Sequence, residues 1–229
     1  MRLHLRLLAT ALCMIFAQST NSQAIEIFSN LGNPDSSSNA AIGYNSITSF
    51  NVIYAQGFTT GTSLYDLNSV DLPLAVTGAG NGSPLLQIYS DNAGNPGTAL
   101  NATFTNPSFG AQSVYNLSLS APFALAASTS YWLVVSDSTA ASQTKFNWYY
   151  SDSFSAPTAQ NGSGLTYLSA ARSLNGGTAW TTNNVFAQTG ITVNATAVPE
   201  PGTYILGAIA TGVMAAVAYR RRQKRLLTI

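Results

Sequence analysis

Ser69-Val-Asp-Leu-Pro-Leu-Ala-Val76 alternates strictly: Val70, Leu72, Leu74 and Val76 fall on one side of an extended chain, and Ser69, Asp71, Pro73 and Ala75 on the other. A period of two is the mark of a β-strand with one covered face. Pro73 has no N–H to give a neighbour, which predicts a position at a sheet edge. Working outward, Phe50, Val52 and Tyr54 oppose Asn51, Ile53 and Ala55. Shorter runs follow at Leu85–Tyr89, Tyr115–Leu119, Tyr131–Val135, Phe146–Tyr150 and Ile191–Ala197, each bounded by Gly, Asn, Ser or Pro. No stretch between 25 and 198 carries a helical period. About seven to nine such strands predict an all-β domain, an antiparallel β-sandwich of jelly-roll-like type. The Asn/Ser-rich segment Ile25–Ser49 reads as a lead-in with few ordered contacts.

Both ends of the chain differ from this middle. Met1–Arg6 carries Arg2 and Arg6, Leu7–Ala17 is largely apolar, and Ser22-Gln23-Ala24 is a small-x-small site. Residues 1–24 therefore read as a secretory signal peptide, removed by signal peptidase after Ala24. Leu12 stands before Cys13 where a lipidation site needs a small residue, so no lipoprotein is expected. At the other end, Pro199 and Pro201 hold the chain extended around Glu200, with Gly202 next. Thr203–Tyr219 has no charge and as a helix would span roughly 25 Å, somewhat under a hydrocarbon core of roughly 30 Å. A transmembrane helix over 203–219 is expected. Arg220, Arg221, Arg222, Lys224 and Arg225 would then hold the tail 220–229 on the cytoplasmic side.

This three-part arrangement over 199–229 resembles the PEP-CTERM sorting signal of Gram-negative bacteria, which an exosortase recognises. The resemblance implies transient anchoring in the inner membrane, cleavage near Pro199–Pro201, and passage to the cell surface or extracellular matrix. Proteins of this kind accompany exopolysaccharide production and biofilm. The plainer alternative is a single-pass anchor with Pro-Glu-Pro as a stiff spacer.

Between the two signals lie 174 residues, Ile25–Val198, with a restrictive inventory. The single histidine, His4, and the single cysteine, Cys13, both belong to the signal peptide. Serine–histidine and cysteine–histidine catalysis are thereby excluded from the domain, as are zinc sites built on those ligands and disulfides. Its charged residues are Lys145 and Arg172 against Glu26, Asp35, Asp66, Asp71, Asp91, Asp137 and Asp152, a net charge of −5. Two cations give no footprint for phosphates, so no nucleic-acid partner is expected. The surface relies on Ser, Thr, Asn and Gln, which hydrogen-bond neutral partners and are little affected by salt.

The segment Ala55–Leu72, together with Ile88–Leu100 and Ser130-Tyr-Trp-Leu-Val-Val135, resembles the choice-of-anchor R domain over roughly residues 45–155. That resemblance implies a surface ectodomain and brings no activity with it.

Three constellations merit weighing. Asp91, Asn92 and Asn95 surround Gly94, and their oxygens form a candidate Ca²⁺ site, but the same residues are what a tight hairpin demands. The hairpin is the preferred reading, and no cofactor is expected. Trp132, Trp148, Tyr150 and Trp180 form a candidate platform for stacking sugar rings, against the commoner role of strand aromatics as core. Tyr149 points opposite Trp148 and Tyr150, so only one of the two sets is expected inside. Asp137 and Asp152 flank the aromatic strand, but nothing positions them as a hydrolytic pair. The sequence therefore reads as an exported, non-catalytic surface or matrix protein, structural or adhesive in the exopolysaccharide layer. A carbohydrate-binding module is the alternative, and a calcium-stabilised adhesion domain comes after it.

Overall fold

The computed structural model describes residues 23–32, 34–45, 48–77, 83–138, 145–151, 155–182, 189–199 and 209–220. The chain divides into two units, one of them Ala24–Val198 and the other the two ends of the chain. In the first unit, β1 (Ile25–Ser29), β2 (Pro34–Asn45), β3 (Phe50–Thr59) and β4 (Tyr65–Thr77) come before β5 (Pro84–Asn92) and β6 (Asn95–Ala99). Then come β7 (Phe104–Thr105), β8 (Ser113–Leu125), β9 (Ser130–Asp137) and β10 (Lys145–Ser151). The last four are β11 (Thr158–Ala159), β12 (Thr166–Ser173), β13 (Thr181–Thr182) and β14 (Thr192–Ala197). All the ladders between these strands are antiparallel, as the alternation predicts.

One array runs β11-β1-β14-β4-β10-β2, with β8 on the other edge of β4. A second contains β12, β3, β9, β5 and β6 in that order. Strand β2 joins them. Its first part pairs with β10 as far as Ile42, and Gly43 then opens the pairing with β3. Gly43 has φ 116°, a conformation that side chains resist, so the crossing falls on the residue that tolerates it.

The main core is shared by the two arrays: Phe28, Leu67, Leu72, Leu74, Phe146, Trp148 and Val193 from the first, and Phe58, Leu86, Ile88, Leu133 and Val135 from the second. Val70, Leu72 and Leu74 are wholly buried, as the alternation assigns, but Pro73 and Ala75 on the opposite side are buried as well and Val76 is half-buried, so the end of the octapeptide is covered on both faces. Phe28 and Phe58 stack at 5.7 Å between ring centroids, and Phe58 meets Tyr131 at 5.9 Å.

Three expectations need correction. Ile25–Ser49 is no loose lead-in, because it supplies β1 and β2, and Ile27, Phe28, Ala40 and Ile42 are buried. Strand β1 is flanked by β14 and β11, so neighbours stabilise a stretch of five residues too short to announce itself. Pro73 is likewise not at an edge. Strand β4 is paired with β8 on one side, and with β14 up to Asp71 and β10 from Leu74 on the other. Pro73 falls at this handover, where the ladder on one flank is interrupted and a missing N–H is tolerated. Finally, Trp148 and Tyr149 are both buried, since β10 is covered on both faces.

Low charge puts the weight on neutral hydrogen bonds inside. Trp148 Nε1–H donates to the Gly190 carbonyl at 2.8 Å, and Gln56 Nε2–H to the Thr189 carbonyl at 2.7 Å. Ser29 and Thr192 hydroxyls bond at 2.8 Å. Tyr167 is different: its hydroxyl is buried without a partner, and burial pushes its pKa well above the ordinary tyrosine value. A phenol that holds its proton more tightly folded than unfolded contributes less stability as pH rises past about 10, where the unfolded chain deprotonates first. Tyr167→Phe is therefore expected to raise stability by about 1 kcal/mol at neutral pH by removing an unsatisfied polar group. It should also flatten the loss of stability above pH about 10, as read by urea unfolding at both pH values.

Candidate functional site

Strands β3 and β9 alternate between two covered faces. Tyr54, Phe58, Leu133 and Val135 point into the main core, while Ile53, Ala55, Trp132 and Val134 form a second apolar cluster with Ala171 on the opposite face. Tyr89 and Trp180 pack against this second cluster from its rim. Trp132 lies across Gly57 of the neighbouring strand, its cross-strand partner. A Cβ on Gly57 would sit 3.0 Å from three indole carbons, so the ring lies directly on bare backbone.

The buried indole reaches out at its edge. Trp132 Nε1–H donates to Asp91 Oδ1 at 2.8 Å, and the Gly94 N–H donates to Asp91 Oδ2 at 3.2 Å. Asp91 thus ties the tip of the β5–β6 hairpin to the inner layer. The two turn residues, Ala93 (φ 51°) and Gly94 (φ 81°), are both left-handed, as a two-residue type I′ loop requires. Asn92 and Asn95 pair across this turn. The hairpin reading of these residues agrees with the geometry, and both Asp91 oxygens already accept hydrogen bonds.

Facing the hairpin is the loop after β12. Ser173 Oγ accepts from the Gly177 N–H at 2.8 Å, Asn175 Oδ1 accepts from the Ala179 N–H at 2.9 Å, and the Gly176 N–H donates to the Asn51 carbonyl at 3.0 Å. Between the two walls runs an open groove of about 630 Å³, lined among others by Asp91, Asn92, Asn95, Thr178 and Trp180. Trp180 is half-buried.

The four aromatic residues of the sugar platform are therefore not brought together. Trp132 and Trp148 are wholly buried, one in each apolar cluster, and cannot present a stacking face. The reason is that both faces of their strands are covered, which alternation alone does not reveal. Tyr150 is half-buried in a bridge to Thr189, and Trp180 alone of the four lines the groove. Its neighbours there are the calcium candidates Asp91, Asn92 and Asn95, a juxtaposition that no spacing in the sequence announced. Among the described residues no group of three or more His, Cys, Asp or Glu side chains is placed to hold a metal. Asp137 is buried and accepts from the Ser83 N–H at 3.4 Å, while Asp152 lies outside the described residues.

The C-terminal signal begins where the sheet ends. Strand β14 is held between β1 and β4, and the Val198 N–H donates to the Leu64 carbonyl at 3.0 Å. Pro199 follows and is exposed. Glu200, Pro201 and Gly202 lie outside the described residues, as do Arg221, Arg222, Lys224, Arg225 and the signal-peptide residues 1–22. A helix α1 covers 209–220, with Ile209, Val213, Met214, Val217 and Tyr219 all exposed and Arg220 at its end. No helix among the described residues is long and apolar enough to cross a membrane.

Residues 197–222 match the model of the PEP-CTERM protein-sorting motif. The match implies an exported protein that is processed by an exosortase. No curated protein matches the chain.

The packing of Trp132 on Gly57 supplies a direct check. Gly57→Ala should lift the indole, weaken its bond to Asp91 and lower stability by about 1–3 kcal/mol, the usual range for overpacking. Thermal unfolding followed by tryptophan fluorescence would read both the lower midpoint and the altered environment.

Proposed function

We propose that the protein is a non-catalytic structural or adhesive component of the exopolysaccharide layer, delivered to the cell surface or extracellular matrix by exosortase processing. The observation that carries this reading is the PEP-CTERM motif at 197–222, which begins at the last residue of β14. In this account residues 1–24 direct export and are removed. Residues 203–219 hold the chain in the inner membrane of a Gram-negative cell, and the basic tail keeps the end inside. The uncharged apolar faces of α1 agree with a lipid environment.

The short distance between fold and motif gives the proposal a mechanical side. Val198 is still bonded to the domain, so the exosortase meets its peptide one residue beyond a folded strand. Neither Pro199 nor Pro201 has an N–H with which to continue a ladder. The finer resemblance of residues 45–155 to the choice-of-anchor R domain, and a jelly-roll-like sandwich, fit the same account. So does the domain's chemistry, which lacks histidine and cysteine and carries few charges.

Intact mass on fractionated cells tests this directly. The parent should yield a surface or medium species running from Ile25 to the Pro-Glu-Pro region. Glu200→Ala or Pro201→Ala should instead accumulate a longer species in the membrane fraction. Processing and release of these variants at the parent's level would remove the basis for sorting.

A further inference from the structure

We infer that the groove between the β5–β6 hairpin and the Thr178–Trp180 loop is a binding site for a neutral glycan chain. The inference deepens the adhesive role proposed above and rests on it. Four observations carry it.

The groove has built walls. Asp91 is fixed at both carboxylate oxygens, by Trp132 and by Gly94, and the opposite loop is fixed by Ser173, Asn175 and Asn51. Both walls are thus held by bonds that leave the groove itself open, which limits the ordering a ligand must impose.

Its polar groups are available. Among the described residues the side-chain amides of Asn92 and Asn95 and the indole N–H of Trp180 make no hydrogen bond. Two amides offer paired donors and acceptors, the pattern that vicinal hydroxyls of a sugar satisfy. Asp91 adds an oriented acceptor beside them.

Its apolar group has the right kind. Trp180 packs on the Ile53–Trp132 cluster yet remains partly exposed along the groove. An indole anchored beneath and open above can take the C–H face of a sugar ring.

Its charge selects against other ligands. Among the described residues no cation lines the groove and Asp91 is its single charge, so a uronate or phosphate polymer would meet repulsion without a counter-charge. A lone carboxylate with both oxygens engaged is also short of the six to eight oxygen ligands calcium takes. At about 630 Å³ the groove is within the common range of small-ligand clefts, about 300–1,000 Å³. Open at its surface, it suits a chain that passes through.

The test uses the full-length chain in a zwitterionic detergent, because glycosidic detergents would compete. Binding is measured on an array of neutral glucans, mannans, galactans and xylans, with alginate and polygalacturonate alongside. The expected result is saturable binding to at least one neutral class, indifferent to salt, with tenfold or greater loss in Trp180→Ala. Asn92→Ala changes an exposed side chain that makes no hydrogen bond among the described residues and keeps the backbone pairing with Asn95, and should weaken binding several-fold at an unchanged melting temperature. Binding to no neutral glycan, binding confined to the uronates, or binding that both variants leave intact would each overturn the inference. Sorting is read separately from the mass of the cellular protein. A processed chain that binds nothing loses the groove and keeps the sorting, and an unprocessed chain that binds does the reverse.

Discussion

The β3–β9 ladder carries bulky apolar side chains on both faces, and neither face can be left to water. Tyr54, Phe58, Leu133 and Val135 demand a partner sheet on one side, and β4, β10 and β14 provide it. Ile53, Ala55, Trp132 and Val134 demand a cover on the other, to which Ala171, Tyr89 and Trp180 contribute. Burying a side chain of this size stabilises by about 1.5–3 kcal/mol, so two faces together outweigh the ordering of a polar loop. The groove is a consequence of that second cover, since the loop stops short of the β5–β6 hairpin.

Trp132 connects the two levels. Its ring needs a residue without a side chain beneath it, which Gly57 supplies, and its N–H needs an acceptor at the rim, which Asp91 supplies. A buried indole N–H without a partner would cost about 1–3 kcal/mol. The carboxylate that satisfies it also fixes the hairpin tip by accepting from Gly94. Core packing and loop geometry are in this way coupled through one side chain, and the wall of the groove inherits the rigidity of the core.

The other end of the domain shows a similar economy. The final strand is an interior one, bonded to β1 and β4, and the sorting motif starts as soon as its ladder ends. The N-terminal strand lies beside it. Residues adjoining the two ends of Ala24–Val198 therefore sit next to each other in one sheet, and their pairing closes the fold. A chain without disulfides and with few ion pairs to draw on gains most from such interior pairing of its ends, because fraying there would expose Ile27 and Val193 together.

Period-two alternation was enough to find β3, β4, β9 and β10 and to place Val70, Leu72 and Leu74 inside, although Pro73 and Ala75 opposite them are buried too. The hairpin around Gly94 was also legible, since Asp and Asn favour turns and glycine takes positive φ, but the left-handed Ala93 was not, because alanine has no such preference. The sorting motif and the lack of His and Cys between residues 25 and 198 were legible as well. Strands β1 and β2 were not legible. Strand β1 is only five residues long and β2 opens on a run of Pro, Asp, Ser and Asn, so neither presents a long period-two pattern, and their partners on either side make them strands. Nor could alternation tell that Trp132, Trp148 and Tyr149 would all be inside, because it separates two faces without saying whether one or both are covered. Local sequence fixes conformation where the backbone itself is selective, and it names the chemistry that is missing. Which faces meet, which aromatic ring stays at the surface, and that Trp180 stands beside Asp91, Asn92 and Asn95 depend on contacts between residues some ninety positions apart. Those contacts form only when the two arrays pack, which is why tertiary structure alone decided them.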